Sequence, residues 1–290
     1  MSGYRVERGP SRRRAVSSQL RTAARPCAWL LVLGLTTATG VARAHAAPAA
    51  EPFKVANIHF ETNASACDMG IQIAFDTDGI TDGFVKSPKR QMVYQFRSKA
   101  GTAKTGGQTE GFLEGIEPQI TELLDALGCE RSDEERVASL DELFTAFPAG
   151  EYSFEGKTNK TRFLGHATLS HAIPAGPEIT APAAGTGSVD PDATLLIDWA
   201  PVSDPILPQL GPVTIVGYHV VVVEAGGEAL PQLDVDLGAD ETDFTVPAQY
   251  LKPDKTYQFE VLATEQSGNQ TISEGFFCTA PIASADCVAP

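Results

Sequence analysis

Three groups of side chains in this 290-residue chain could do chemistry. His166 and His171 are the closest histidine pair. Five residues apart on one expected strand, they point to opposite faces, which is poor metal geometry. Asp76, Asp78 and Asp82 lie in the run D-T-D-G-I-T-D-G. A calcium-binding EF-hand loop needs Gly at position six and a bidentate Glu at twelve. Counted from Asp76 those places hold Thr81 and Ser87, so the run reads as a solvated turn, with an irregular Ca2+ site as the alternative. Asp234, Asp236, Asp240, Glu241 and Asp243 form an acidic run that reads as a solvated loop between strands. Two carboxylates across a cleft could hydrolyse a glycoside. In so acidic a chain some pair is always close, so that signal selects nothing.

The remaining catalytic signatures are absent. The chain has no G-x-S-x-G elbow, no P-loop, no G-x-G-x-x-G and no H-E-x-x-H. No residue is therefore assigned a catalytic, cofactor-binding or metal-binding role, no cofactor is expected, and the protein is not expected to be an enzyme. Three N-x-S/T sequons, at Asn63, Asn159 and Asn269, would matter only on a eukaryotic secretory route and read as chance.

The elements that could position a site begin after a leader. Arg12, Arg13, Arg14, Arg21 and Arg25 precede an apolar run over residues 28–35, and Ala44-His45-Ala46 fits small-x-small cleavage. Residues 1–46 therefore read as a signal peptide for export to the periplasm or the exterior. The apolar run is too short for a membrane span. The whole chain has 22 Lys+Arg and 37 Asp+Glu; the leader holds 8 basic and 1 acidic residue, leaving 14 and 36, a net charge of −22. Such a surface repels phosphate backbones and anionic lipid heads, which argues against nucleic-acid binding. Four cysteines remain after the leader: Cys67, Cys129, Cys278 and Cys287. An even number in an exported chain favours disulfides, with three possible connectivities. Keeping each bridge within one domain favours Cys67–Cys129 and Cys278–Cys287.

Period-two patterning dominates the rest. In residues 47–174, Met69, Ile71, Ile73 and Phe75 alternate as a half-buried strand. Residues 76–79 read as a turn and residues 99–108 as a mobile loop. A two-helix insertion is expected near residues 118–147. Pro118 opens the first helix, Ile120, Leu123, Leu124 and Leu127 form its apolar stripe, and Gly128 ends it. Ser132 with Glu135 reads as the capping box of the second. Pro174-Ala175-Gly176-Pro177 is the best boundary. Beyond it, residues 175–280 alternate almost without break, as an antiparallel sandwich does, followed by a tail at 281–290. The fold class expected is mainly β: two β-sandwich-like domains, the first carrying the helices.

The second of these regions resembles the fibronectin type III family. Trp199 stands where that family has the Trp of its second strand, and Gly217-Tyr218-His219-Val220 matches its third strand. Leu251-Lys252-Pro253-Asp254-Lys255-Thr256-Tyr257 matches its tyrosine corner. The resemblance implies that the Tyr257 hydroxyl caps backbone near Leu251 while the ring packs in the core. Residues 204–212 depart from the family pattern, being long and holding three prolines. The first region is similar to that of exported bacterial proteins pairing it with such a sandwich, through pieces such as Phe147-Pro148-Ala149-Gly150-Glu151-Tyr152; this implies architecture and no activity.

The function expected is an exported, non-catalytic binding protein built around the fibronectin type III module. Its partner would be an unknown protein or carbohydrate, met through the sandwich loops at residues 204–212 and 266–271. The alternatives are a small polysaccharide-active hydrolase with an accessory sandwich and a structural envelope spacer.

Overall fold

The computed structural model describes residues 50–225 and 232–289; the leader expected over residues 1–46 lies outside the described residues. The molecule is mainly β, with three α-helices among the described residues. In its first half, strands Val55–Asn63 and Asp68–Ile80 form an antiparallel hairpin, and Gln108–Glu114 adds to the outer side of the second. A five-stranded sheet packs against them, in the order Glu51–Pro52, Arg162–Leu169, Gly150–Lys157, Asp82–Lys86, Met92–Arg97. Alternation sends Ile58, Phe60, Met69, Ile71, Ile73 and Phe75 inward from one sheet, where they meet Val85, Tyr152, Phe154 and Phe163 from the other.

The second half is another two-sheet core. Glu178–Ala181, Leu195–Ala200 and Asp243–Val246 form one sheet, in that order. Leu233–Gly238, Ile215–Glu224, Thr256–Glu265 and Gln270–Thr279 run side by side in the other. Trp199, Tyr218, Val220, Tyr257, Phe259 and Phe277 fill the space between them. Both disulfides favoured above are formed: Cys67–Cys129, with Cα atoms 6.0 Å apart, and Cys278–Cys287, at 5.7 Å.

The two cores share one sheet. Gln270–Thr279 pairs in parallel with Val55–Asn63, setting Gln270 opposite Glu61 and Ile272 opposite Asn63. A ten-stranded sheet therefore runs through both halves. The long connection after Trp199 locks the same junction. Ile206 and Leu207 are buried in the first core, the Ile206 N–H donates to Ile173 O at 3.0 Å, and the Ala175 N–H donates to Asp204 O at 2.9 Å. Asn269, fully buried, accepts from the Phe60 N–H at 2.9 Å and donates to Ala172 O at 2.9 Å and to Ser170. The two segments expected to meet a partner, 204–212 and 266–271, are thus used in large part to join the halves.

Several local expectations are corrected. Residues 76–79 do not reverse the chain but continue the strand Asp68–Ile80, with a register shift between Asp76 and Ile80. The turn-forming residues make an irregularity instead, in which Gly79 adopts φ 117° and its N–H donates to Thr77 Oγ1. The expected loop at 99–108 holds a short helix, Ala100–Lys104, and the start of a strand. The first helix is Thr121–Leu127, closed by left-handed Gly128; Pro118 precedes it by a β-bridge rather than opening it. The second helix is Leu140–Ala146, and its capping box is Ser139 with Glu142, not Ser132 with Glu135. Only the later serine is followed at once by the apolar residue, Leu140, that the helix buries. No helix among the described residues is long and apolar enough to cross a membrane.

Candidate functional site

The residues singled out in the sequence do not converge. Asp78 pairs with Lys54 at 2.5 Å and Asp82 with Arg97 at 2.6 Å. His166 lies 3.3 Å from Glu151 on the outer face of a half-buried strand. His171 falls beyond the end of that strand, stacked on Phe144 at 3.8 Å with its Nε2 3.0 Å from Phe147 O. Asp234 and Asp236 lie within a strand, not a loop, and flank His219 of the neighbouring strand at 2.7 and 3.3 Å. Of the sequons, Asn269 is buried and the Asn63 amide donates to Glu274 at 2.6 Å, whereas Asn159 is exposed.

A different set converges, on the outward face of the shared sheet. The alternation that sends Phe60, Ile71 and Phe259 into the cores sends their neighbours to the opposite face. Glu61 comes from Val55–Asn63, Asp68 and Gln72 from Asp68–Ile80, Glu114 from Gln108–Glu114, Glu260 from Thr256–Glu265, and Gln270 and Glu274 from Gln270–Thr279. Glu61 stands at the junction. It accepts from the Gln72 amide at 2.6 Å on one oxygen and from the Gln270 amide on the other, so one carboxylate is clasped by both halves. Glu117 lies across Gly70, whose missing side chain makes room: a Cβ there would sit 2.4 Å from Glu117 Cγ. Carboxylate oxygens of Glu61, Glu114 and Glu117 come within 4.8 Å of one another.

The electrostatics of this face follow from its composition. No strand of the ten-stranded sheet contains Lys or Arg, whereas the five-stranded sheet has Lys86, Arg97, Lys157 and Arg162. Among the described residues, Glu61, Asp68, Glu114, Glu117, Glu260 and Glu274 thus have no Lys or Arg partner, and His219 is the basic group acting on Glu61 and Glu260. Partial burial, followed by repulsion from Asp68, Glu61 and Glu114, pushes Glu117 up to about 7. Burial, with Glu135 and Glu274 next, pushes Asp68 up to about 6. Glu61 and Glu260 are raised too, again first by burial. Oxygen atoms of Glu117 (Oε1) and Asp68 (Oδ1) are buried without a hydrogen-bond partner. So are both ring nitrogens of His59, a residue only 7% exposed. His59, Gln72 and Glu114 form one row across three strands of this face. Burial lowers the His59 imidazole to about 4, keeping it neutral.

Sequence reasoning missed this set because its members are spread over five strands and a connecting segment and no two form a motif. The available signal was the want of Lys and Arg over residues 55–80, 106–130 and 256–290. The chain matches no protein-family model and no curated protein.

Proposed function

We propose that this is an exported, non-catalytic binding protein built around a fibronectin type III-like module, with the outward face of the shared sheet as its contact surface. One observation carries this reading: that face runs unbroken through both halves, while the connecting segments that a sandwich would offer to a partner are largely engaged internally. The module reading is supported by the three- and four-strand orders of the second core. It is also supported by packing of Trp199 on Tyr218, with ring centroids 5.4 Å apart, and by the Lys252 N–H donating to the Tyr257 hydroxyl at 2.8 Å. Two disulfides fit an oxidising compartment outside the cytoplasm.

The test is comparative retention on immobilised protein. Components of the source's envelope fraction are passed over the protein and over a variant with Gln258→Arg and Glu274→Arg on the face. A component that saturates the first and is not held by the second supports the reading. Equal retention moves the contact surface elsewhere, and no saturable component at all favours the spacer.

The hydrolase reading has one observation on its side. Glu117 is held protonated towards neutral pH beside Glu61 and Glu114, as an acid beside carboxylates would need to be. Glycoside hydrolysis places its two carboxyls on either side of the sugar; these stand together on one sheet face. Turnover of a polysaccharide by the purified protein, lost in Glu117→Gln, would replace the binding reading with this one.

A further inference from the structure

Resting on that reading, we infer that the outward face of the shared sheet docks a cationic polypeptide segment, one that supplies the Lys or Arg side chains missing from the sheet. The face spans the strands from Leu233–Gly238 to Gln108–Glu114, roughly 30 Å at about 4.8 Å per strand. Across that width the outward positions hold Asp234, Asp236, Glu260, Glu274, Glu61, Asp68 and Glu114, and Lys and Arg are absent throughout. Some carboxylates elsewhere on the molecule do have partners: Glu224 meets Lys252 and Lys255, Asp82 meets Arg97, and Glu155 meets Lys86. The absence of Lys and Arg from every strand of this sheet sets it apart from the five-stranded sheet, which has four.

Three further features specify a polypeptide rather than a single metal ion. The carboxylates extend as a band across the strands well beyond the point where Glu61, Glu114 and Glu117 come together. Leu262 and Ile272, buried at the middle of the band, give it an apolar floor between acidic rims. Lys and Arg side chains suit such a surface, because their stems lie on apolar ground while their heads reach the carboxylates. The face also carries hydrogen-bonding capacity that the protein leaves unused. His59, more than nine-tenths buried in the row with Gln72 and Glu114, makes no hydrogen bond of normal geometry although Gln72 lies beside it, and neither do Glu117 Oε1 and Asp68 Oδ1. Buried polar atoms are rarely left so in a folded protein. Incoming N–H donors would satisfy the oxygens and ionise both carboxyls.

A fluorescent decalysine peptide is titrated into the protein at low and at physiological salt. Two variants remove three charges each. Glu61→Gln/Glu114→Gln/Glu260→Gln alters the face; Asp133→Asn/Glu134→Gln/Asp141→Asn alters the helical segment. The expected result is saturable, salt-sensitive binding that weakens at least about tenfold in the face variant and within about twofold in the other. A third variant, Glu114→Gln/Asp236→Asn, changes only exposed carboxylates and should still weaken binding if the first fails to fold. Equal weakening in both three-charge variants would reduce the attraction to net charge and overturn the inference. So would saturable binding of Ca2+ alone to this face with no effect of the face variant on decalysine. Loss of envelope-component retention in the arginine variant, with decalysine indifferent to the face, would sink the cationic partner and leave the binding reading standing.

Discussion

Tyr257 and Asn269 show how single side chains hold this fold. The Tyr257 ring stacks on Phe277 at 5.1 Å, and its hydroxyl accepts from the Lys252 N–H at 2.8 Å. The sequence placed the bond near Leu251; the hydroxyl bonds to the residues on either side of it, accepting from the Lys252 N–H and donating to Tyr250 O at 3.5 Å. Tyr257→Phe keeps the packing and strands that N–H, which should cost about 1–2 kcal/mol. A lowered urea midpoint in the full chain, with an unchanged slope, is the expected result; an unchanged midpoint removes the hydroxyl from the stability account. Asn269 does more, since it bonds to two stretches far from it in the chain, at Phe60 and at Ser170 and Ala172. Asn269→Leu leaves several buried backbone groups unpaired at once and should cost about 2–4 kcal/mol. Because those groups lie in one half and Asn269 in the other, near-ultraviolet signals from Trp199 and from the tyrosines of the first half should shift together.

At the scale of elements, what the sequence shows plainly is periodicity. The strand of Met69, Ile71 and Ile73 and the stripe of Leu123 and Leu124 are read from spacing alone, because each buries one face on the nearest core. Where a residue has two local uses, spacing does not choose between them. Asp76, Thr77 and Gly79 suit a turn, but Gln108–Glu114 pairs on both sides of them and the ladder overrides the turn. Ser132 and Ser139 both carry a glutamate three residues on, and packing of Leu140 decides which begins the helix. This choice can be measured. Ser139→Ala should cost about 1 kcal/mol through loss of a cap, and Ser132→Ala less than about 0.5 kcal/mol, as at an ordinary surface position. Equal effects would return the cap to Ser132.

At the scale of the whole molecule, the acidic face exists only because two cores share a sheet, so it was not legible in either region taken separately. Its chemistry predicts a particular dependence of stability on pH. Glu117 titrates from the ordinary 4.5 up to about 7, and Asp68 from 3.8 up to about 6. The groups facing them are Glu61, Glu114, Glu135 and Glu274, with His219 the basic group acting on Glu61. Over pH 4.5–7 folded Glu117 holds a proton that the unfolded chain has released. Stability therefore falls as pH rises through that window, by about 1–2 kcal/mol for the two carboxyls once solvent screening of half-buried groups is allowed for. His59 acts in the opposite sense. Its folded value of about 4 lies below the ordinary 6.5, so its contribution is present above 6.5 and is lost as pH falls towards 4. The two effects oppose each other between pH 4.5 and 6.5, and the carboxyl loss stands alone just above. Over pH 4.5–6 the fold holds two extra carboxyl protons against one missing from the imidazole, so urea midpoints should decline from about pH 5 to about pH 7. Glu117→Gln should flatten that decline, and His59→Phe should steepen it. A decline left unchanged by Glu117→Gln would mean that repulsion on this face does not govern it.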